Sequence, residues 1–376
     1  MMYYSIGRFL AILVKEFIQM RRDRMTFAMM IGLPIIQLIL FGYAINTNPK
    51  HLPTLVEVAD SGPFSRSFLA AMRNSAYFDF KGIVSNDEAK RAMLQGKALF
   101  IVTIPQNFER DIIRGEKPSI LVSADATDPS ATGNAVASLN HLVETSLRSL
   151  TVGPLASLAP QTDAFDVIVH KHFNPAGVTS FNIVPGLLAI ILSMTMVMIT
   201  SIAIVREFER GTMETLLATP ARPIEVMLGK ILPYVLVGYV QTAVFIMMAL
   251  ILFQVPFEGS PIAFLAALNA YIVVNLALGF LFSTVARSQM QAMQMSFFYI
   301  MPTILLSGFM FPFAGMPSWA QFLGNIIPTT HFMRIVRKVM LKGAGLADIL
   351  PELSALGIIM VAVTALAMMR YRQTLD

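Results

Sequence analysis

The sequence predicts an α-helical polytopic membrane protein with about six transmembrane helices and an extracytoplasmic α/β domain inserted between spans one and two. Three observations indicate this fold class. Hydrophobic residues make up 55% of the 376 residues and charged residues only 14%, whereas a soluble domain has about 25% charged residues. Charge-free stretches long enough to cross a bilayer recur along the chain. Residues 46–178 differ, because charges, prolines and glycines are frequent there.

Composition also narrows the functional classes. The net charge of +5 would suit a nucleic-acid partner, but the basic residues flank apolar runs and do not cluster with aromatic residues, so no nucleic acid is expected. The chain has no cysteine, which excludes disulfides and thiolate metal sites. Charges at Lys15 and Glu16 interrupt the apolar stretch near the N-terminus and no cleavage site follows it, so no signal peptide is predicted.

Residues 1–25 are predicted to form a cytoplasmic helix at the membrane surface. Its apolar residues recur at helical spacing, and its basic residues are positioned for lipid headgroups. The apolar stripe comprises Phe9, Leu10, Leu13, Phe17 and Met20, and the charged residues expected at the membrane surface include Lys15, Glu16, Arg21, Arg22 and Arg24.

Six stretches have the length and composition of a membrane span or come close to them. About 20 apolar residues are needed, because the hydrocarbon layer is about 30 Å thick and a helical residue rises about 1.5 Å. One charge at mid-bilayer costs about 3 kcal/mol, so the stretches should be free of charges. The first lies within residues 26–45 and the other five within a membrane domain over residues 179–376. The six are Thr26–Ile45, Phe181–Val205, Ile231–Phe253, Pro261–Ala286, Ser296–Phe311 and Leu353–Met369.

The distribution of Lys and Arg predicts that both termini are cytoplasmic. Basic residues are concentrated on the cytoplasmic side of membrane spans. They lie before the first span, in the loops between the second and third and between the fourth and fifth spans, and after the last span. These residues are Arg21, Arg22, Arg24, Arg206, Arg210, Arg222, Lys230, Arg287, Arg370 and Arg372. The short loop 254–260 has no basic residue.

One basic segment does not fit this orientation. Arg334, Arg337, Lys338 and Lys342 fall outside the cytoplasm in a six-span scheme, and residues 288–333 are too long for one helix. A seven-span scheme would place these four residues inside, but it would put the basic C-terminus outside. We prefer six spans and a helix pair that re-enters the outer leaflet over about residues 312–345. Prolines break the run where such a pair would turn, at Pro312, Pro317 and Pro328.

Strand and helix patterns alternate within residues 46–178, which is typical of an α/β layer fold. About 130 residues can bury a core of their own. The predicted strands are Leu55–Ala59, Phe78–Val84, Ala98–Ile104 and Ile120–Ala124. The predicted helices are Ser65–Asn74, Asp87–Leu94 with Asn86 as cap, Gln106–Arg114 closed by Gly115, and 131–150.

This domain is expected to bind or dock and not to catalyse. Asp60, Asp125 and Asp128 follow strands, but strand-end carboxylates are usually solvated. His141, His170 and His172 are scattered and show no metal-binding spacing, and no motif of a hydrolase or metalloprotease occurs.

The segment 206–230 between the second and third spans is predicted to form a short amphipathic helix on the cytoplasmic side. Charges of both signs appear immediately after the span, Gly211 and Thr212 can end one helix and cap the next, and Pro220 stops it. Met213, Leu216 and Leu217 would share one apolar face. Such a helix suits a groove on a soluble partner, although an ordinary solvated loop would have the same periodicity.

The string Glu-Arg-Gly-Thr-Met-Glu-Thr-Leu-Leu-Ala-Thr-Pro, residues 209–220, followed by Gly229-Lys230, is similar to the coupling segment of type-2 ABC export permeases. The residues that this resemblance implies for coupling to an ATPase are Arg206, Glu207, Glu209, Arg210, Gly211, Thr212, Met213, Glu214, Leu216, Leu217, Pro220 and Lys230. Other matches are the N-terminal charged helix, a fifth span with Pro302, Ser307, Gly308 and Pro312, and an outer helix pair with Asn325, Pro328, Thr329 and His331. Resemblance therefore covers nearly the whole chain.

The resemblance implies a transport subunit that is not itself an enzyme. Two permeases, as a homodimer or with a sibling, would each sit on an ABC ATPase, and the segment 207–217 would transmit the closing of that ATPase to the spans. Glu209 and Glu214 would meet basic residues of the ATPase. A P-loop, GxxxxGK[ST], is absent from the sequence, so ATP and Mg²⁺ would bind to the partner and this chain needs no cofactor. The family subgroup with an inserted domain also implies a periplasmic adaptor and the bacterial inner membrane.

Several polar and small residues within spans are predicted to act in packing. Asn182, Gln241, Asn269, Asn275 and Gln294 are expected to form interhelical hydrogen bonds more often than cargo contacts. Gly238, Gly279 and Gly308 would allow close helix approach, and His331 is interpreted as a structural histidine.

Three other functions remain open at the level of sequence. An ion-coupled carrier would need titratable residues in mid-span, and the spans have essentially none. A membrane-anchored binding protein would need only one span, and a membrane enzyme would need a titratable cluster. The sequence favours an exporter of an amphiphilic drug-like or lipid-like molecule but does not identify the cargo.

Overall fold

The computed structural model describes residues 49–150, 165–209 and 223–370. The described residues form an α/β part up to residue 172 and a helical part from residue 179 onward. The predicted interfacial helix 1–25 and the first predicted span Thr26–Ile45 lie outside the described residues.

The α/β part is built on a five-stranded mixed sheet with the order β2-β1-β3-β4-β5. β1 is parallel to both β2 and β3, β4 is antiparallel to β3, and β5 is parallel to β4. The strands are β1 Leu52–Val58, β2 Phe78–Ile83, β3 Phe100–Ile104, β4 Ser119–Asp125 and β5 Asp166–His172. The first four confirm the predicted strands with shifts of up to three residues. β5 is not predicted by the pattern, because its polar residues hide a strand that is half-exposed at the edge of the sheet.

Four helices accompany the sheet: α1 Pro63–Asn74, α2 Asn86–Leu94, α3 Phe108–Ile113 and α4 Pro129–Leu150. One face of the sheet packs on α1, α3 and α4. Phe165 lies in this core, with Phe68 of α1 and Phe108 of α3 edge-on to its ring at 5.5 and 5.3 Å. The predicted cap of α2 is wrong by one residue. Ser85 caps the helix and forms a capping box with Glu88, because this Glu reaches back to the Ser85 N–H.

The helical part has a longer set of elements. They are α5 Thr179–Glu209, α6 Pro223–Leu252, α7 Pro261–Ser283, α8 Gln289–Leu306, a 3₁₀ turn Phe313–Gly315, α9 Ser318–Ile326, α10 Pro328–Lys342 and α11 Leu346–Arg370. Within the described residues, four helical segments are long and apolar enough to cross a membrane: Thr179–Arg206, Tyr234–Leu252, Pro261–Ser283 and Leu346–Arg370.

The fifth predicted span, Ser296–Phe311, has different limits in the structure. α8 begins seven residues earlier, at Gln289, and ends at Leu306. Gln289, Gln291 and Gln294 make its first turns polar, and it is not among the four segments named above. The last helix is also longer than the predicted Leu353–Met369. The breaks expected at Pro312, Pro317 and Pro328 are confirmed, because these residues flank or begin the 3₁₀ turn, α9 and α10.

α7 lies at the centre of the helical part and packs against α5, α10 and α11. Tyr271 of α7 is fully buried and stacks on Phe332 of α10, with ring centroids 4.0 Å apart. By contrast, α6 and α11 expose many large apolar side chains, such as Ile251 and Ile358. Exposed apolar surface of this extent is expected to face lipid.

Candidate functional site

The structure describes only the two ends of the predicted coupling segment. Arg206, Glu207 and Glu209 belong to the last turn of α5, and Lys230 lies in the first turns of α6. α6 begins at Pro223, eight residues before the predicted span Ile231–Phe253. The other predicted coupling residues lie outside the described residues: Arg210, Gly211, Thr212, Met213, Glu214, Leu216, Leu217 and Pro220. The charged residues predicted for the N-terminal helix, Lys15, Glu16, Arg21, Arg22 and Arg24, lie outside them as well.

Glu209 connects the end of α5 to the beginning of α8. Its Oε1 accepts a hydrogen bond of 2.9 Å from the backbone N–H of Gln289, and its Oε2 accepts one from the Gln289 side chain. These hydrogen bonds hold the pKa of the Glu209 carboxyl below its ordinary value. A carboxylate at a helix N-terminus satisfies unpaired N–H groups. The expected contact of Glu209 with a partner protein stays a prediction, but both oxygens of this carboxylate already have a partner within the chain.

α8 leads from this contact to an apolar groove of about 640 Å³ between α8 and α9. The lining side chains are almost entirely apolar, and they include Tyr299, Pro302, Thr303, Leu306, Leu323 and Ile326. The Tyr299 hydroxyl is buried without a hydrogen-bond partner among the described residues. Because this hydroxyl is buried, the groove itself offers mainly apolar contacts, which suit an apolar molecule.

Behind the groove, polar side chains join the helices in the interior. Ser193 of α5 donates to Asn275 Oδ1 of α7 at 2.5 Å, and the Tyr271 hydroxyl lies 2.9 Å from Thr329 Oγ1 of α10. Gln241 of α6 donates to Thr195 of α5 at 3.0 Å. The predicted interhelical hydrogen bonds are thus confirmed for Asn275 and Gln241, and Asn269 is bonded by Tyr239 of α6. Asn182 bonds outside the helices, to Asp128, and Gln294 Oε1 has no described partner.

The predicted outer residues lie around the turn that follows α8. Pro302 is inside α8, Ser307 caps its C-terminus, and Pro312 precedes the 3₁₀ turn. Gly308 adopts a φ of 83°, so it serves a turn that favours glycine and not the helix contact expected of it. Pro328 begins α10, and the ring Nε2 of His331 lies 2.8 Å from the carbonyl of Asn325, which agrees with a structural histidine.

The basic residues of α10 are buried or half-buried and have partners inside the protein. Lys338 pairs with Glu352 of α11 at 2.7 Å, and Lys342 pairs with Asp125 of the α/β part. Both pairs are buried, so Asp125 is not the solvated carboxylate that the sequence suggested. It lies at the end of β4, where it faces the C-terminal end of α10. Sequence patterns did not connect Asp125 with Lys342, because 217 residues separate them.

Two further pockets occur in the α/β part. One of about 650 Å³ is lined by Asp60 and Glu109, whose backbone N–H donates to Asp60 at 3.0 Å. The other, of about 470 Å³, is lined by His170 and His172, whose rings are 4.3 Å apart. Among the described residues, no group of three or more His, Cys, Asp or Glu side chains could hold a metal ion.

Comparisons with known proteins agree with the helical architecture. A family model described as ABC-2 family transporter protein matches residues 24–369. The chain is 28% identical to the probable multidrug ABC transporter permease YbhS of Escherichia coli K12 over 347 residues, and this region covers 90% of each chain. It is 30% identical over 308 residues, 78% of each chain, to the inner membrane transport permease YhhJ of the same strain. ABC transporter G family member 20 of Dictyostelium discoideum is 26% identical over 343 residues, which are 88% of this chain and 46% of that protein.

Proposed function

Because the chain belongs to the ABC-2 family of transporter proteins, we propose that it is the permease of an exporter that moves an amphiphilic small molecule out of the cytoplasm. The observation that carries the proposal is the almost entirely apolar lining of the groove along α8. A molecule with a large apolar body and few polar atoms matches such a lining. The names of two relatives refer to multidrug transport and to the inner membrane, and they support the cargo class and a location in the bacterial inner membrane.

Energy for transport would come from a separate ABC ATPase, since the sequence has no P-loop. The segment 206–230 would contact that ATPase from the cytoplasm, with both termini on the same side. The Glu209–Gln289 contact supports a mechanical route, because a force on the end of α5 would reach the first residue of α8 directly. α8 would then widen or narrow the groove that it lines. This exporter would contain two permeases, two ATPase subunits that bind ATP and Mg²⁺, and a periplasmic adaptor.

The proposed membrane topology has six spans and a re-entrant helix pair. The four apolar segments in the described residues, a first span at 26–45 and α8 together give six crossings. α9 and α10 would form the re-entrant pair in the outer leaflet. The burial and pairing of the α10 cations support this arrangement, because lipid offers no partner for a charge. The α/β part would lie outside the cytoplasm.

The test is ATP-dependent transport by the complete complex in inside-out vesicles, with a fluorescent amphiphile as cargo. Leu323→Trp should fill the groove and lower cargo-stimulated ATP hydrolysis about tenfold or more, because a groove filled by the indole ring cannot bind cargo. Phe322→Trp is the matched control: Phe322 is the preceding residue of α9, it is 68% exposed, and it is not a lining residue of the groove. This control should transport normally.

Two results would overturn the proposal. Transport without an ATPase subunit would exclude an ABC permease mechanism. Unchanged transport by Leu323→Trp would exclude the groove as the cargo site. If Leu323→Trp instead separated two permease copies, as measured by light scattering, the groove would be an interface between subunits and not a cargo site.

A further inference from the structure

We infer that α10 is a rigid relay that couples the α/β domain, residues 52–172, to the turn between α8 and α9, and that Lys342 is its positioning residue. Two sets of contacts on one helix carry this inference, one at its C-terminal end and one near its middle. It does not depend on the cargo, the ATPase or the direction of transport.

At its C-terminal end, α10 inserts one cation into a site formed by the α/β domain and by Phe173, the residue that directly follows it. Lys342 Nζ pairs with the carboxylate of Asp125, donates to the carbonyl of Met93 at 3.2 Å, and lies 5.3 Å from the ring centroid of Phe173. Met93 is in the last turn of α2, whose carbonyl end carries partial negative charge. The Lys342 and Asp125 side chains are only 6% and 3% exposed. Two of the three N–H donors of this ammonium group have acceptors in the α/β domain, so this end of α10 is anchored to that domain.

Near its middle, α10 holds the turn between α8 and α9. Arg337 Nη1 donates to the carbonyl of Gly308 at 3.2 Å, and the Arg334 guanidinium lies 4.2 Å from the ring centroid of Phe313. Gly186 of α5 leaves the room that this arrangement needs, because a Cβ there would lie 2.6 Å from the Phe309 ring and 3.6 Å from Arg337. The turn 307–313 directly continues α8, which lines the apolar groove.

The helix between these contacts is suited to transmit displacement. Arg334 and Lys342 are eight residues apart, which is about 12 Å along a helix. Ile335, Val336 and Val339 are fully buried in the helical core, and close-packed interiors transmit strain. Lys338 adds a buried ion pair with Glu352 of α11. A shift of the α/β domain would therefore move the turn after α8 by way of α10.

The test is amide hydrogen exchange of the full-length protein in lipid nanodiscs, followed by mass spectrometry. Lys342→Met removes the cation, and Asp125→Asn removes the charge but keeps the acceptor for Thr127, whose N–H lies 3.1 Å from Asp125 Oδ1. Both variants should accelerate exchange in residues 308–316 by about tenfold or more, in addition to the local segment 93–97. The matched control is Lys81→Met, which breaks an exposed pair with Asp79 in the same domain and should leave residues 308–316 unchanged.

The result that would overturn the relay is faster exchange confined to residues 93–97 and 125–128, with residues 308–316 as in the wild type. Equal acceleration everywhere, including strand β2, would also overturn it, because that is general loosening of the fold. If Lys342→Met does not fold, Asp125→Asn decides the question alone, since it preserves the local turn.

Discussion

At the scale of single residues, the cations of α10 depend on partners that are far apart in the sequence. Lys338 and Lys342 are buried with Glu352 and Asp125, respectively. Removing one member of a buried pair leaves an uncompensated charge and typically costs about 3–5 kcal/mol. This explains how a basic segment that conflicts with the charge rule for loops can lie in the interior of the structure. The positions of the four cations were visible in the sequence, but their partners were not.

His172 at the end of β5 should make the α/β domain sensitive to pH. Burial, and then the neighbouring His170, hold the pKa of the His172 imidazole below its ordinary value, although Asp125 opposes this shift. The folded protein therefore keeps His172 neutral where the unfolded chain, with a His pKa of about 6.5, takes up a proton. Stability from this residue is present above that pH and falls as the pH drops below it.

We therefore expect the wild-type melting temperature to be lower at pH 5.5 than at pH 7.5, and His172→Gln to reduce this difference. His141→Gln is the control, because His141 is exposed on α4. Thermal unfolding of the purified protein measures the effect. An identical pH dependence in His172→Gln and the wild type would exclude His172 as the cause.

At the scale of elements, the close contact between α5 and α7 depends on the absence of one side chain. A Cβ at Gly279 of α7 would lie 2.7 Å from the carbonyl oxygen of Val197 and 2.8 Å from Thr200 Cβ. The first of these is a backbone atom that cannot move without shifting α5. Gly279 thus confirms the predicted close approach. At Gly238 the nearest atom is the end of the Ile272 side chain, at 2.9 Å, which can move more easily.

Gly279→Ala should destabilise the protein by about 1–3 kcal/mol, the usual cost of overpacking. Gly357→Ala in α11 is the matched control, because a Cβ there meets no atom within 4 Å. We expect no loss of stability in the control. Unfolding in mixed detergent micelles measures both variants, and equal stability of the two would contradict the proposed role of the α5–α7 contact.

At the scale of the whole molecule, the α/β domain and the helical part are joined by contacts that end near the groove. Asp125 and Met93 bind α10, Asp128 binds Asn182 at the start of α5, and α10 holds the turn after α8. At the other end of α8, Gln289 binds Glu209. α8 is therefore held at both ends, once toward the α/β domain and once toward the predicted coupling segment. A transport cycle that moves α8 would be communicated to both sides.

Glu214→Arg should uncouple the permease from its proposed ATPase. The reversed charge would face the basic residues that the family resemblance implies on the ATPase, and charge reversal at a docking surface disrupts binding. The variant should still be inserted in the membrane, but cargo-stimulated ATP hydrolysis of the complex should fall to the basal level. Lys81→Met, in the α/β domain, is the control. Normal stimulation of Glu214→Arg would exclude residues 206–230 from coupling.

Local patterns in the sequence were sufficient to predict most of the described elements. Lengths of apolar sequence predicted the segments now seen as α5, α6, α7 and α11, because the thickness of a bilayer requires about 20 apolar residues. The alternation of strand and helix patterns within residues 46–178 predicted four of the five strands, and prolines predicted the breaks around α9 and α10. β5 and the polar start of α8 were missed, since an edge strand and a glutamine-rich turn lack a strong hydrophobic period.

Only the tertiary structure decided which side chains meet. The groove along α8, the bond between Glu209 and Gln289, and the insertion of Lys342 between Asp125 and Met93 all join residues that are 80 or more positions apart, or require helices to be packed first. Composition and periodicity report the local preference of each segment for water, lipid or a regular backbone. They do not contain the relative placement of segments, which follows from the packing of the whole chain.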